Sequence, residues 1–323
     1  MTVPASLAAI PSPSFNALHL GRFQIRLYGM MIALGVLAAV TLAGRRWERR
    51  GGDPSDISTL AAWAVPAGLV GARAYHVITD PELFRGRWLH VFAIWEGGLG
   101  IPGGLLAGVL VGVIVARRRG LPIGSLLDAV APALPLAQAI GRLGNWFNQE
   151  LFGRPTNLPW GLRIDPAHRP AGFEHVATFQ PTFLYEALWN LLLVWVLVRI
   201  EGRWHRRPGR LFALYVGGYS LGRLWVESLR IDHANTILGL RVNIWVSLVS
   251  LALVIGFFLW DRTRAGPEES PRGGDGEVAL DLFPGAGGGV DVEPVGAGGG
   301  VEDVGDEVAE RIEAADGEGG GDS

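Results

Sequence analysis

At 323 residues, 49% of them hydrophobic and with positive mean hydropathy, the chain is too apolar for an ordinary soluble domain, and its apolar residues come in blocks rather than in alternation. The formal charge of −3 hides a split: from Ala265 onward lie 16 of the 31 acidic residues with only Arg272 and Arg311 as bases, so the rest of the chain carries about +11. Without cysteine the protein has no disulfide, no thiolate metal site and no thiol nucleophile of its own, and all 28 basic residues are arginines, which suit bidentate pairing with phosphate or carboxylate.

Residues 1–24 lack the basic start, continuous apolar run and small-residue cleavage site of a signal peptide, so the first span is expected to remain in the mature protein. Seven apolar stretches follow, near 27–44, 57–79, 97–116, 123–143, 182–200, 210–229 and 242–260. Each is long enough, or nearly so, to cross about 30 Å of hydrocarbon at about 1.5 Å per residue. Runs of this length imply helices, so the expected fold is an all-α integral membrane protein, a seven-transmembrane helical bundle over 1–264. Arginines collect after spans one, three, five and seven, at Arg45 to Arg50, Arg117 to Arg119, Arg199 to Arg210, and Arg262 with Arg264. Basic residues in short loops stay on the cytoplasmic side, which places the amino terminus outside and the carboxyl-terminal tail inside. Two longer loops, 80–95 and 144–181, then form an extracytoplasmic region. The tail, 265–323, is acidic, rich in glycine and poor in aromatics, and is expected to be disordered.

Ionisable residues within spans are costly and ask for a partner or a purpose. Here they are Arg73, Glu96, Arg142, Glu186, Arg223, Glu227 and Arg230, and the orientation above puts all seven toward the outer leaflet, with the cytoplasmic halves almost free of charge. Charges that merely snorkel to water would mark both faces. A one-sided cluster rich in arginine suits a polar cavity for an anionic ligand, and a phospholipid phosphate is the obvious candidate. A transporter or lipid flippase would also hold a polar cavity, but neither midplane charges, broken helices nor repeat symmetry is visible.

The strongest local signal closes span four: Gly141-Arg142-Leu143-Gly144-Asn145-Trp146-Phe147-Asn148-Gln149-Glu150-Leu151-Phe152-Gly153. It sets a cation, two amides and a carboxylate at an apolar helix end, a wasteful arrangement unless they bind something. In span six, Tyr219, Arg223 and Glu227 are four apart and share one helical face, with Arg230 three further on. Glu227 is expected to hold Arg223. Span three opens on Gly97-Gly98-Leu99-Gly100-Ile101-Pro102-Gly103-Gly104, which lacks the lysine of a nucleotide loop, while Gly104, Gly108 and Gly112 form a smooth stripe for close helix packing.

The signature resembles that of the prolipoprotein diacylglyceryl transferase family, with the full spacing of Gly-Arg, Gly-Asn, Asn, Glu and Gly. The resemblance runs over roughly residues 20 to 260. It takes in Ile25-Arg26-Leu27-Tyr28-Gly29, Gly71-Ala72-Arg73, Gln180-Pro181-Thr182-Phe183-Leu184-Tyr185-Glu186, and Tyr219 to Arg230. It implies transfer of the diacylglyceryl group of phosphatidylglycerol to the lipobox cysteine of prolipoproteins, forming a thioether and releasing glycerol phosphate, the first step of lipoprotein maturation. By position it makes Arg142 and Arg223 essential, and with them we expect Glu227 in the catalytic set. The substrate-binding set adds Tyr28, Arg73, Asn145, Glu150, Gly153, Glu186, Tyr219 and Arg230. Glu150, Glu186 and Glu227 would orient arginines or handle protons, and Tyr28, Asn145 and Tyr219 would supply hydrogen bonds. Membrane lipids are the expected surroundings; no cofactor, metal ion or nucleic acid is called for, and His168, His175 and His233 lack a ligand spacing. The family's histidine just after the diglycine is matched here by Pro102, so no histidine base is assigned. His76, one turn after Arg73, reads as structural.

Overall fold

A computed structural model describes residues 9–21, 23–94, 97–204, 207–232 and 234–263 of the chain. The expected disordered tail, Glu96 and His233 lie outside the described residues. The bundle is helical: α1 (Leu27–Arg49), α2 (Pro54–Thr79), α3 (Ile101–Arg118), α4 (Ile123–Val130), α5 (Ala133–Asn148), α6 (Thr182–Trp204), α7 (Arg210–Leu229) and α8 (Val242–Thr263). Three short antiparallel ladders, β1 (Ala17–Leu20) with β2 (Phe23–Arg26), β3 (Leu162–Arg163) with β4 (Thr178–Phe179), and β5 (Thr236–Ile237) with β6 (Leu240–Arg241), belong to the connections at the end of the bundle that carries the 141–153 signature.

By length and composition α1, α2, α3, α6, α8 and the combined 123–148 segment can each cross a membrane. The remaining helix, α7, has 20 residues and carries Arg210, Arg223 and Glu227. The helices show lipid an apolar exterior: Leu37, Val70, Leu106 and Leu253 are all more than 60% exposed, and in α3 the one buried residue is Ala116. An apolar surface of this extent marks a membrane contact. The result is a membrane protein of seven spans.

Local chemistry sets the boundaries. Asp53 caps α2 by accepting the Ser55 N–H at 2.8 Å, with Pro54 in the first turn where its missing N–H costs nothing. Span three begins at Ile101 and not at 97, because Gly97 and Gly98 take positive φ (93° and 69°) and Pro102 falls in the first helical turn. Span four consists of two helices joined at Ala131 and Pro132. Both residues keep right-handed helical angles, so this is one kinked span, and the break the sequence did not reveal comes from a proline with no N–H to donate. The glycine stripe packs as expected. A Cβ on Gly104 would lie 3.2 Å from the Gly68 carbonyl oxygen and one on Gly108 3.3 Å from that of Ala64, and one on Gly103, beside the stripe, 2.3 Å from that of Gly71, so α2 and α3 meet backbone to backbone.

One expectation is corrected. The end of the bundle opposite the signature is not free of buried charge. Arg46, 4% exposed, meets Glu201 at 2.6 Å and donates to the Ala129 carbonyl at 3.0 Å, while Arg50 meets the other Glu201 oxygen at 2.7 Å. Asp128 accepts the backbone N–H groups of Gly209 and Phe212 at 2.8 and 2.9 Å, which satisfies the start of α7. Asp56 pairs with Arg119 at 3.0 Å and Asp261 with Arg210 at 2.5 Å. Single carboxylates draw in arginines that, in sequence, belong to loop clusters. These contacts tie helix ends together.

Candidate functional site

At the signature end, the last two turns of α5 carry Arg142, Asn145 and Asn148, and the chain then turns left-handed at Gln149 (φ 51°) and again at Leu151 (φ 58°). Such backbone costs on the order of 1–3 kcal/mol per residue and persists only where its surroundings impose it. Here the Gln149 amide nitrogen donates to the Asp165 carboxylate at 2.7 Å and to the Pro13 carbonyl at 3.0 Å, and its oxygen accepts the Asp165 N–H at 2.9 Å. The Thr182 hydroxyl donates to the Leu151 carbonyl. A small apolar core of Phe152, Leu162, Ile164, Phe179 and Phe183 seats the 149–181 connection on the helices. Glu150 is thereby turned back onto the helix, where its Oε1 accepts from Asn145 Nδ2 at 2.9 Å and Asn148 Nδ2 at 3.1 Å. Asn145 Oδ1 accepts in turn from Arg142 at 3.0 Å. Gly153 has no room for a side chain: a Cβ would lie 2.9 Å from the Leu229 carbonyl oxygen, and its N–H donates to Gln180 at 2.9 Å.

From Arg142 a line of alternating charges crosses the bundle. Arg142 on α5 approaches Glu186 on α6 at 2.6 Å, and Arg223 on α7 approaches the other Glu186 oxygen at 3.5 Å. Arg223 also pairs with Glu227 at 2.8 Å, one turn along its own helix, and Glu227 pairs with Arg241 at 2.8 Å and accepts from Asn243 at 3.3 Å. Arg241 reaches Asp232 at 3.0 Å, and Asp232 holds Arg230 through contacts of 2.7 and 2.9 Å. Counting Glu150, four arginines face four carboxylates. The Glu227 side chain is fully buried, Arg223 is 14% exposed and Arg142 20%, so the line opens toward Arg142. Arg223 Nη1 is buried with no well-aligned acceptor among the described residues, its nearest being the 3.5 Å Glu186 oxygen, and the close Arg142–Glu186 contact is not aligned as a hydrogen bond. Donor capacity is therefore left where two guanidinium groups converge.

Tyr28 opens α1 and lies over Gly144, where a Cβ would fall 2.7 Å from its ring, within the fields of Glu150 and Arg142. Tyr219 sits one turn before Arg223 on α7 and packs in the aromatic layer against Tyr215 at 6.1 Å. Two expected members are placed differently. Arg230 follows the end of α7 in extended backbone, off the helical face, because the helix stops at Leu229 and Asp232 takes its side chain. Arg73, 6% exposed, donates to the carbonyls of Val91 at 2.9 Å, Gly97 at 2.6 Å and Gly98 at 3.2 Å, and to that of His90, with its guanidinium over the Phe84 ring. It clamps the 80–98 connection instead of joining Arg142 and Arg223. Arg241, Asn243 and Asp232 were missed. Arg241 lies one residue before the apolar run of span seven, and its distance from a carboxylate in sequence hid the pairing. Burial pushes the Asp232 carboxyl up, but hydrogen bonds and charge from Arg230 and Arg241 outweigh it and hold the carboxyl below its usual range; burial likewise disfavours the Arg230 cation, and its hydrogen bonds and charge contact with Asp232, with Glu227 and Glu186 further off, outweigh that and raise it.

Beside Arg73 is a recess of about 180 Å³ lined by His76, Phe84, Arg87, His90, Gly97 and Gly98. Among the described residues no group of three or more His, Asp or Glu side chains could hold a metal ion.

Comparison with known proteins matches residues 16–260 to the family described as Prolipoprotein diacylglyceryl transferase. A protein of Frankia alni named Phosphatidylglycerol--prolipoprotein diacylglyceryl transferase is 51% identical over 82% of this chain and 71% of its own length. Proteins of that name from Streptomyces coelicolor (numbered 2) and Cutibacterium acnes are 50% and 49% identical, covering 84% and 83% of this chain and 88% and 92% of their own lengths.

Proposed function

The chain belongs to the prolipoprotein diacylglyceryl transferase family, and from that premise we propose how its charged line performs the reaction. The protein is a membrane transferase that moves the diacylglyceryl group of phosphatidylglycerol onto prolipoprotein cysteine, the first step of lipoprotein maturation. The observation that carries the mechanism is the convergence of Arg142 and Arg223, from different helices, on the two oxygens of one carboxylate, Glu186. A carboxylate bridging two guanidinium groups marks the place of a phosphodiester, whose two non-bridging oxygens can accept from the same pair of donors. The lipid phosphate enters by displacing Glu186 from the 3.5 Å contact first, the weaker of the two.

The acceptor thiolate attacks the diacylglyceryl carbon that bears the phosphate. A sulfur–carbon bond forms, the carbon–oxygen bond breaks, and its electron pair leaves on glycerol phosphate. Charge grows on the departing phosphate, and fixed cations in a water-poor site stabilise that growth without reorganising. The same cations favour the thiolate of the incoming lipobox cysteine. Glu227 holds Arg223, and Asn145 with Glu150 holds Arg142, so both donors are aimed before the lipid arrives. Arginine-rich turns after the odd-numbered spans support an orientation with the signature end and amino terminus extracytoplasmic, in the bacterial cell membrane.

The test is glycerol phosphate release by purified protein given phosphatidylglycerol and a lipobox peptide. The intact protein releases it; Arg142→Ala and Arg223→Ala each lose about 100- to 1000-fold in kcat. Full release by either variant would remove the assignment.

A further inference from the structure

We propose that His76, held by Asp80, is the general base that takes the proton from the acceptor cysteine. The proposal rests on the transferase reading above and supplies the group it lacks, since Pro102 stands where the family pattern has a histidine. His76 Nδ1 lies 3.1 Å from the Asp80 carboxylate, one helical turn on, and that same carboxylate oxygen accepts the Thr79 hydroxyl at 2.8 Å. A carboxylate on Nδ1 sets the tautomer with its lone pair on Nε2. The ring is further held edge-on to Phe84, with centroids 5.8 Å apart.

Nε2 is on the side of the recess. A Cβ on Gly98 would lie 2.4 Å from it and 3.0 Å from Arg73 Nη1, so glycine at 98, in left-handed backbone, is what leaves the nitrogen uncovered. The charged and titratable groups around the imidazole are Arg73 from α2 and Asp80 just past its end, with Arg87 and His90 from the following connection. Arg73 is immobilised by its carbonyls, so a fixed positive charge stands beside the point where a thiolate forms. The recess and the charged line flank the start of α1: a Cβ on Gly97 would lie 3.9 Å from Arg26 Nη1, and Tyr28, two residues on, lies over Gly144. A peptide thiol in the recess and a lipid phosphate at Arg142 and Arg223 thus approach from two sides of one helix end.

In the step itself the thiol proton passes to His76 Nε2. Sulfur then bonds to the diacylglyceryl carbon as the bond from that carbon to the phosphate oxygen breaks, and His76 returns its proton to the phosphate group of the leaving glycerol phosphate. Nothing is oxidised or reduced.

The experiment uses the full-length protein in mixed micelles with phosphatidylglycerol and two lipobox peptides, one with cysteine and one with selenocysteine. A selenol is ionised at neutral pH and needs no base. His76→Gln is expected to lose about 100-fold or more in kcat on the cysteine peptide, with KM for phosphatidylglycerol unchanged, and to stay near the intact protein on the selenocysteine peptide. Asp80→Asn, at a half-exposed position that tolerates substitution, shifts in the same direction by less. Equal loss on both peptides, or no loss on cysteine, overturns the base assignment while leaving the transferase reading intact. An intact protein that modifies neither peptide overturns both.

Discussion

Glu227→Gln is the substitution whose cost follows most directly from the geometry. The carboxylate is fully buried between Arg223 and Arg241, each at 2.8 Å, and accepts from Asn243 at 3.3 Å. Removing one partner of a buried pair costs about 3–5 kcal/mol, because the other charge is left uncompensated. Here each guanidinium keeps a second carboxylate, Glu186 for Arg223 and Asp232 for Arg241, and the glutamine oxygen still accepts a hydrogen bond. The expected loss is therefore at the lower bound, about 3 kcal/mol, roughly 150-fold in the unfolding equilibrium. Equilibrium unfolding in mixed micelles measures it, alongside kcat for glycerol phosphate release, which falls because Arg223 is no longer aimed. The double variant Glu227→Gln with Arg241→Met removes a charge of each sign and should recover part of the stability but not the activity, a coupling that a double-mutant cycle reads directly. Unchanged stability in Glu227→Gln, or simple additivity in the cycle, would refute the pairing.

Three further outcomes are expected. Arg73→Met frees four backbone carbonyls of the 80–98 connection and should speed amide exchange and proteolysis there, measured by hydrogen exchange, while phosphatidylglycerol binding falls little. Asp232 has a carboxyl held below its usual range, so it contributes stability that is present above its unfolded value of about 3.9 and is lost as pH falls through the lower folded value; Asp232→Asn should flatten that acid limb in pH-dependent unfolding. Gly103→Val forces apart α2 and α3, whose backbones touch there, and should cost stability in thermal unfolding beyond what the same change costs at Gly256, where a Cβ meets nothing within 4 Å.

The spans were legible because block hydropathy is a property of consecutive residues. All seven stretches were drawn from it; six of the resulting helices are long and apolar enough to cross a membrane, while α7 carries three charges. The 141–153 signature and the Arg223–Glu227 spacing were legible too, since contacts three and four residues apart on a helix are local. What the sequence hid was pairing at long range. Glu201 draws Arg46 and Arg50 from about 150 residues away, and Glu227 draws Arg241 from beyond a helix end and a β-turn. Arg73 shows the opposite failure: an arginine in a span asks for a partner, but carbonyl oxygens carry no sequence mark, and four of them satisfied it. Gln149, the residue that pins the left-handed turn after α5, carried no local signal at all, because its partners Asp165 and Pro13 come from two other segments.

Lipid phosphate is expected to replace Glu186 between Arg142 and Arg223. The decisive experiment is a structure of the protein with a phosphonate analogue of phosphatidylglycerol, whose carbon–carbon bond cannot be cleaved. Phosphonate oxygens within hydrogen-bonding distance of both guanidinium groups, with Glu186 withdrawn from Arg223, is the outcome the geometry requires. A phosphonate bound elsewhere, with the Arg142–Glu186–Arg223 contacts unchanged, would contradict it.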